Sequence, residues 1–253
     1  MDIVNSRNLY NREILQKKIK KYLDYMNKEN ENLLLVPIVI TLGDEWQIVL
    51  KEPYEGYKII SDFQKILRKE GIKVYSGFGI GTISTEVNED ARSMDGECFI
   101  KAREALNISK NKNRFYNKKI KSKKNNVYFN GTNISFHQVF FKDKFDPIEE
   151  VAVTSGDQMI ESNLTINNII NSMIENNEIL KYKVTDKQWE MIDLYEKFSS
   201  YSNMVKESET ISKADISQKI NNSNYFVIRN NNLNISKLLK LYCEIKEGRG
   251  NEL

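Results

Sequence analysis

The stretch Thr41-Leu42-Gly43-Asp44-Glu45-Trp46-Gln47 lies between two apolar runs and decides the fold. Residues 38–42 are typical of one strand and residues 46–50 of the next. Gly43 permits a tight turn between them because it has no Cβ. The sequence therefore predicts a β-hairpin that carries two adjacent carboxylates, Asp44 and Glu45, at its tip.

Two adjacent carboxylates at a strand tip indicate a candidate metal site. Hard cations such as Mg²⁺ or Mn²⁺ favour one or two carboxylates together with waters and phosphate oxygens. The hairpin is therefore a candidate platform for a metal ion and a triphosphate. The alternative is a hairpin whose acids only face water.

The elements around the hairpin follow from the spacing of apolar residues. Residues 9–28 and 57–67 have the pattern of amphipathic helices, residues 73–84 that of a strand and residues 95–107 that of a third helix. Together with a short strand at Asp2, the order is strand, helix, strand, strand, helix, strand, helix. This is the order of ferredoxin-like palms, so the predicted fold class is α+β, with a nucleotide-cyclase-like palm followed by a small helical helix-turn-helix domain.

Four blocks of sequence carry a family resemblance. They are Asp2-Ile3-Val4-Asn5-Ser6-Arg7, the hairpin stretch 41–47, Gly77-Phe78-Gly79-Ile80-Gly81-Thr82-Ile83-Ser84 and Asp95-Gly96-Glu97-Cys98-Phe99-Ile100-Lys101-Ala102-Arg103. In this order the chain resembles the SatD family. With a C-terminal segment, the resemblance covers most of the chain.

Proteins built on the palm plan place their metal-binding acids at the end of the first strand and in the central hairpin, where this chain has Asp2 and Asp44. Asp2 and Asp44 are therefore the predicted metal ligands, and Glu45 is a third ligand or an orienting group. Arg103 is predicted to point at phosphate or at a carboxylate such as Asp44. The predicted catalytic set is Asp2, Asp44 and Arg103.

One departure concerns the third helix. Class III cyclases carry an asparagine four residues before their transition-state arginine, and this chain has Phe99 there. The resemblance thus supports metal and phosphate binding more than cyclisation.

A second candidate feature is a row of alternating glycines. Gly77, Gly79 and Gly81 fall on one face of their strand, which allows a ligand or a helix to approach the backbone closely. The predicted nucleotide-binding residues are Gly43, Glu45, Gly79, Gly81 and Lys101. For Lys101, a pair with Glu97 one turn earlier is the alternative.

The first strand is unusually short. A palm's first strand is central and normally carries several apolar residues before its acid, whereas Asp2 follows Met1 directly. We expect either that the strand begins upstream of Met1, which is the interpretation we favour, or that half of a central strand has been lost.

Composition sets further limits. The chain has 253 residues, 40% hydrophobic and 29% charged, with a net charge of +3. No run reaches the roughly 20 apolar residues of a membrane span, and two cysteines do not suggest a disulfide framework. We expect a cytoplasmic protein without a membrane partner, and we interpret the single histidine, His137, as a packed residue.

The predicted domain boundaries follow the changes in composition. The palm covers 1–125 and ends in a basic connector, 108–125, since residues 110–124 hold eight lysines and arginines and no acid. This connector is either solvated or a phosphate-contacting arm. Residues 126–183 join the halves through strands at 127–129 and 135–141 and a helix at 165–180.

The last segment, 184–247, predicts a helix-turn-helix domain. Its helices are expected after the N-cap Asp186, at 201–208, at 212–222 with Ile216 and Ile220 inward, and at 235–243. Helix 212–222 is the predicted recognition helix. Its DNA-contacting residues would be Lys213, Ser217, Gln218 and Asn221. A pure packing module is the alternative.

Three functions follow from these observations. The leading hypothesis is a regulator that binds a nucleoside triphosphate with Mg²⁺ or Mn²⁺ and couples it to DNA binding. The second is a nucleotide cyclase or nucleotidyltransferase that makes a signalling nucleotide; cyclases usually work as dimers with shared sites, so a homodimer is a candidate assembly. The third is a catalytically silent palm that serves as an interaction module.

Overall fold

The computed structural model describes residues 1–6, 12–111, 119–135, 164–207 and 211–250. Its N-terminal half has the predicted order of strands and helices, followed by the strand that was predicted at 127–129. The elements are β1 (Asp2–Ile3), α1 (Arg12–Glu29), β2 (Leu34–Leu42), β3 (Glu45–Leu50), α2 (Gly56–Arg68), β4 (Val74–Gly79), α3 (Glu97–Lys110) and β5 (Val127–Asn130).

The described strands form one sheet in the order β2-β3-β1-β4-β5. β1 is central and pairs antiparallel with both β3 and β4, while β5 runs parallel to β4. The register places Asp2 opposite Glu45 on one side and opposite Tyr75 on the other. The register thus pairs two acids that are 43 residues apart in the sequence, Asp2 and Glu45.

The hairpin prediction is confirmed. Leu42 pairs with Glu45, so the loop consists of Gly43 and Asp44, and Gly43 adopts a positive φ of 61°. β2 begins at Leu34, four residues earlier than predicted. It tolerates Pro37 because β2 is an edge strand, and an edge strand has no neighbour on its outer side to which a backbone N–H would have to donate.

Helices cover both faces of the sheet. α1 and α2 pack on one face over a core that includes Ile3, Trp46, Phe63 and Val74. α3 packs on the other face and connects β4 to its parallel neighbour β5. Adjacent residues of a strand point to opposite faces, so Asp2 and Glu45 face α3, while Ile3 and Trp46 face α1 and α2.

The C-terminal half is helical in the described residues. Its helices are α4 (Ile166–Lys183), α5 (Asp186–Phe198), α6 (Tyr201–Glu207), α7 (Lys213–Asn222) and α8 (Tyr225–Gly250). α4 and α8 share a buried core with α2 and β5, in which Tyr57, Phe129, Ile170 and Tyr242 are buried. α5, α6, α7 and the start of α8 enclose a separate core around Ile192, Met204, Ile216 and Ile220.

Several boundaries differ from the prediction. The last helix was predicted at 235–243 but runs over Tyr225–Gly250, because Ile228, Ile235, Leu239 and Tyr242 continue one buried stripe through an asparagine-rich stretch. β4 ends at Gly79 rather than at residue 84, since its partner β5 ends at Asn130.

The start of α5 and the second predicted connecting strand also differ. The N-cap of α5 is Thr185, not Asp186, because Thr185 forms a capping box with Gln188. Ser135 forms an isolated bridge with Thr165, and the rest of the strand predicted at 135–141 lies outside the described residues, as does His137.

Within the parts of the chain that the structure describes, no helix is both long and apolar enough to cross a membrane.

Candidate functional site

Two carboxylates face each other at the centre of the sheet. Asp2 on β1 and Glu45 on β3 are register partners, and the ammonium of Lys110 lies 2.5 Å from Asp2 Oδ2 and 3.7 Å from Glu45 Oε2. Only 9% of the Glu45 side chain is exposed. One lysine therefore ties together two strands and the end of α3.

Arg103 reaches the same pair of acids. Its Nη1 lies 2.6 Å from Glu45 Oε1, and 55% of its side chain is exposed. Arg103 and Lys110 are seven residues apart, two turns of α3, so they share one helical face. The expectation that Arg103 points at a carboxylate is met by Glu45 rather than by Asp44. We call Asp2, Glu45, Arg103 and Lys110 the central charge cluster.

The cluster is fixed from the hairpin side and from the chain terminus. Thr41 Oγ1 donates to Glu45 Oε1 at 3.3 Å, and the amino group of Met1 donates to the Trp46 carbonyl at 2.8 Å. Burial lowers the pKa of the Met1 amine to about 5, although Glu45 and Asp2 oppose the shift. The two acids of the cluster are paired with Arg103 and Lys110.

Asp44 lies beside the cluster but does not share its contacts. Together with Ile3, Leu15 and Ile19 it lines a small cavity on the α1 side of the sheet. The pairing of Leu42 with Glu45 leaves Asp44 in the loop and makes Glu45 the first residue of β3. The structure thus places Glu45, not Asp44, opposite Asp2.

In the described residues there is no group of three or more His, Cys, Asp or Glu side chains arranged to hold a metal ion. A metal ion at the central charge cluster would therefore have Asp2 and Glu45 as its protein carboxylates, and its remaining ligands would be waters and ligand oxygens, which is the usual arrangement for Mg²⁺.

The alternating glycines are covered by α3. A Cβ at Gly79 would lie 2.4 Å from the Ala102 nitrogen, and one at Gly81 would lie 2.6 Å from the Cys98 nitrogen. The glycines are thus required for the close approach of the helix backbone. Of the two interpretations of this row, the structure favours helix packing over a nucleotide contact at Gly79 and Gly81.

Lys101 lies on the β5 side of α3, apart from the central charge cluster. Its ammonium is 2.6 Å from Glu97 Oε1 and 2.8 Å from Thr132 Oγ1. Lys246 of α8 also approaches Glu97, at 3.3 Å. The hydrogen bond from Lys101, with a smaller effect of Lys246, lowers the pKa of Glu97 to about 2 although desolvation opposes it.

The predicted recognition helix is α7. Ile216 and Ile220 are buried as expected, and Ser212 caps the helix by accepting from the Asp215 nitrogen. The predicted DNA-contacting residues lie on the outer side: Lys213, Gln218 and Asn221 are exposed, and Ser217 is half-buried and accepts from Asn221 at 3.3 Å.

Sequence reasoning missed Lys110, which was assigned to the basic connector. α3 extends to Lys110 and the lysine belongs to the cluster. The seven-residue spacing from Arg103 was the signal that could have identified it. The role of the Met1 amine has no such signal, because it depends on the pairing of β1 with β3.

The structure defines a mixed α+β protein with a five-stranded sheet, a charge cluster at its central strands and a helical C-terminal half. The family model of the SatD family matches residues 1–135, more than half of the chain, and the chain belongs to the SatD family. No curated protein and no solved structure matches the sequence.

Proposed function

We propose that this SatD-family protein is a regulator that binds a nucleoside triphosphate with Mg²⁺ or Mn²⁺ at the central charge cluster and couples this binding to DNA contact through α7. The observation that carries the proposal is the meeting of two facing carboxylates with two cations on one face of the sheet. The cytoplasm is the proposed location, and the free thiols of Cys98 and Cys243 fit that setting.

The order of the strands supports a ferredoxin-like palm. In such a palm the first strand lies between the third and fourth, and each of the four strands runs antiparallel to its neighbours among the four, as β2, β3, β1 and β4 do here. The acids of nucleotide-binding palms lie at the end of the first strand and at the hairpin. Asp2 occupies the first place, and Asp44 and Glu45 occupy the second.

A bound metal–triphosphate could replace the ion pairs that the cluster makes in the free protein. In the free protein, Lys110 and Arg103 neutralise Asp2 and Glu45. A metal–triphosphate brings both a cation for the carboxylates and anionic oxygens for the guanidinium and ammonium. The exposed part of Arg103 leaves its guanidinium free to turn toward a phosphate. Asp44, in the hairpin loop, lines a cavity on the α1 side of the sheet, so Asp2 and Glu45 are the proposed metal ligands.

Calorimetric titration of the purified chain with Mg²⁺ and nucleoside triphosphates tests the nucleotide site. We expect binding that Asp2→Asn and Glu45→Gln each weaken by about tenfold or more, the usual size of losses at metal ligands and their supports. The matched control is Asp24→Asn, which removes an exposed acid of α1. If Asp2→Asn and Glu45→Gln bind as tightly as Asp24→Asn, the proposed site is wrong.

The same titration separates the proposal from a silent palm, which would give no heat with any triphosphate. Thermal melts of each variant show whether a loss of binding reflects unfolding. Because 55% of the Arg103 side chain is exposed, Arg103→Gln tests the site even if Glu45→Gln destabilises the chain.

A gel-shift series against the DNA upstream of the protein's own gene tests the role of α7. We expect Lys213→Ala to weaken binding and to reduce the slope of log K against log salt by about 1, as loss of one phosphate contact does. Gln218→Ala should relax sequence preference. Lys187→Ala, an exposed lysine of α5, is the control. Unchanged binding and salt slope in both α7 variants would show that α7 does not contact DNA.

One observation bears on the enzyme alternative. Phe99, at the position of the cyclase asparagine, packs against a buried cluster of Val36, Val49, Ala91 and Met94. This apolar role supports nucleotide binding without cyclisation. Incubation with labelled triphosphates and Mn²⁺ tests this, because a cyclic or oligomeric product that requires Glu45 would establish an enzyme.

A further inference from the structure

Two lysines lie against an exposed tyrosine at the end of α4. The Lys124 ammonium is 3.8 Å from the centroid of the Tyr182 ring, and the Lys73 ammonium is 5.0 Å from it. All three residues are exposed, Tyr182 to 47%. They come from the start of β4, the turn before β5 and the last turn of α4. We call Lys73, Lys124 and Tyr182 the lysine–tyrosine surface.

The turn that carries Lys124 is fixed to the elements on either side of it. The Ser122 nitrogen donates to the Glu175 carboxylate of α4. Close by, the Asn126 carbonyl accepts from the Ser76 nitrogen of β4 at 2.8 Å. These hydrogen bonds join the turn to both α4 and β4, so the fold itself sets the place of Lys124 beside the tyrosine ring.

The two ammonium groups are not balanced by nearby acids. In the part of the chain that the structure describes, neither Lys73 nor Lys124 forms an ion pair with a carboxylate. The pKa of Tyr182 agrees with this: the hydrogen bond and charge of Lys124 and then the charge of Lys73 lower it, desolvation opposes the shift, and no carboxylate of the described residues contributes. Two like charges at one ring repel each other, so an anion that contacts both would relieve the repulsion.

The exposure and composition of the surface indicate which anion it fits. A small ligand is usually held in a concave site that buries most of it, whereas these side chains lie open to solvent. Membrane binding needs a large apolar face, and the turn has the sequence Lys121-Ser122-Lys123-Lys124. Lysine and tyrosine are among the side chains that contact the phosphates of DNA, so a long phosphate backbone fits best.

The lysine–tyrosine surface adjoins the helical bundle that contains α7. Val184, two residues after Tyr182, is the C-cap of α4 and is buried in the core that includes Ile216 and Ile220 of α7. Lys183, between the two, is exposed. DNA that is read by a recognition helix is also contacted at its backbone by neighbouring elements, and this surface is such a neighbour.

We propose that the lysine–tyrosine surface binds the phosphate backbone of duplex DNA through the ammonium groups of Lys73 and Lys124 and the hydroxyl of Tyr182. The choice of DNA as the anion rests on the proposed contact of α7 with DNA. Contacts to phosphates carry no base information. The surface therefore adds affinity and salt dependence, while α7 selects the sequence.

Fluorescence anisotropy with labelled duplexes over a range of salt concentrations tests this proposal. The wild-type chain is compared with Lys73→Ala/Lys124→Ala on the DNA upstream of the protein's own gene and on an unrelated duplex of equal length. The matched control is Lys20→Ala/Lys240→Ala, which removes two other exposed lysines. Lys240 also lies over a tyrosine ring, 5.7 Å from the centroid of Tyr54. Thermal melts show that each variant is folded.

We expect Lys73→Ala/Lys124→Ala to weaken binding to both duplexes by the same factor, roughly tenfold or more in about 0.1 M salt. The slope of log K against log salt should fall by about 2, since each lost phosphate contact removes about 0.9. Tyr182→Phe should weaken binding to both duplexes by a smaller factor and leave the slope unchanged, because it removes a hydroxyl without a charge. The control should keep the wild-type affinity and slope.

The outcomes separate this proposal from that for α7. If Lys73→Ala/Lys124→Ala binds as the control does while Lys213→Ala and Gln218→Ala change binding, the surface does not contact DNA and the role of α7 stands. If only the Lys73→Ala/Lys124→Ala variant loses affinity and slope, the surface contacts DNA and α7 does not. Loss of binding to anionic phospholipid vesicles, with DNA binding unchanged, would overturn the proposal in favour of a membrane surface.

Discussion

At the scale of single residues, the glycines of β4 set how closely the sheet and α3 approach. A methyl group at Gly79 would overlap the backbone of Ala102, which cannot move without shifting the whole helix. The same helix carries Arg103 and Lys110 to the central charge cluster. The spacing that Gly79 permits is therefore a condition for the cluster itself.

We expect Gly79→Ala to lower the free energy of unfolding by about 2–3 kcal/mol, the usual cost of overpacking. Urea denaturation measures this loss. Gly248→Ala in α8 is the matched control, because a Cβ there meets nothing within 4 Å. It should be neutral or slightly stabilising, by up to about 1 kcal/mol. An equal loss in both variants would contradict the packing role of Gly79.

Glu97 makes a second residue-scale prediction, which concerns pH. The ion pairs with Lys101 and Lys246 hold the pKa of Glu97 at about 2 in the folded protein, below its ordinary value of 4.5. A carboxylate with a depressed pKa contributes stability that is fully present above its unfolded value and is lost as the pH falls toward the folded value.

We therefore expect stability measured by urea melts to fall more steeply between about pH 5 and pH 3 in the wild type than in Glu97→Gln. At neutral pH the variant should be less stable by about 1 kcal/mol or less, since the carboxylate is partly exposed and solvent screens the pair. Glu86→Gln, at an exposed site, should follow the wild type. Parallel curves for Glu97→Gln and the wild type would contradict this role.

At the scale of elements, α2 and α5 are joined by charge. Asp193 of α5 lies 3.2 Å from Arg68 and 3.3 Å from Lys69, and Lys65 pairs with Glu196. Arg68 also lies over the ring of Trp189, 4.6 Å from its centroid. These contacts connect α2, which packs on the sheet, with α5, which shares a core with α7.

Because these groups are only partly buried, we expect Asp193→Asn to cost about 1 kcal/mol at low salt and less at high salt. The measurement is thermal or urea unfolding at two ionic strengths. Glu190→Gln, which removes an exposed acid from the same helix, is the control. A cost that does not change with salt would show that packing, rather than charge, joins the two helices.

At the scale of the whole molecule, the sheet depends on helices that come after it in the chain. Asn171 of α4 both accepts from the Phe129 nitrogen and donates to the Phe129 carbonyl, each at 2.9 Å, and so completes the edge of β5. Tyr242 of α8 donates to the Thr132 carbonyl at 2.9 Å. Glu178 of α4 accepts from the buried Tyr57 hydroxyl of α2.

The fragment 1–135, which is the extent of the family match, would leave this core open. We expect it to bind a hydrophobic dye and to melt without a cooperative transition, whereas the full chain should unfold cooperatively. Circular dichroism melts and dye fluorescence compare the two. A fragment that melts as sharply and at the same temperature as the full chain would show that α4 and α8 are not part of its core.

Much of the architecture could be predicted from local sequence. The Gly-Asp loop fixed the hairpin, the period of apolar residues located most helices, and Ile216 and Ile220 face inward as their spacing requires. The orientation of Arg103 toward a carboxylate also followed from its helical position. Each of these features depends on residues that are close in the chain.

The candidate site could be predicted only in part. The sequence identified Asp2 and Arg103 but assigned Lys110 to the basic connector. It predicted Glu45 as a third ligand or an orienting group, whereas Glu45 is the residue that pairs with Asp2 across the strands. Which of two adjacent acids faces the central strand depends on register, and a shift of one residue exchanges them.

The sequence alone thus determined the elements and their order, because turn chemistry and side-chain period act over a few residues. Only the tertiary structure decided that Glu45 meets Asp2, that α3 covers the glycines, and that Lys110 joins the central charge cluster. These depend on pairing between strands that are distant in the chain, and that pairing is set by how well the whole core packs rather than by any local pattern.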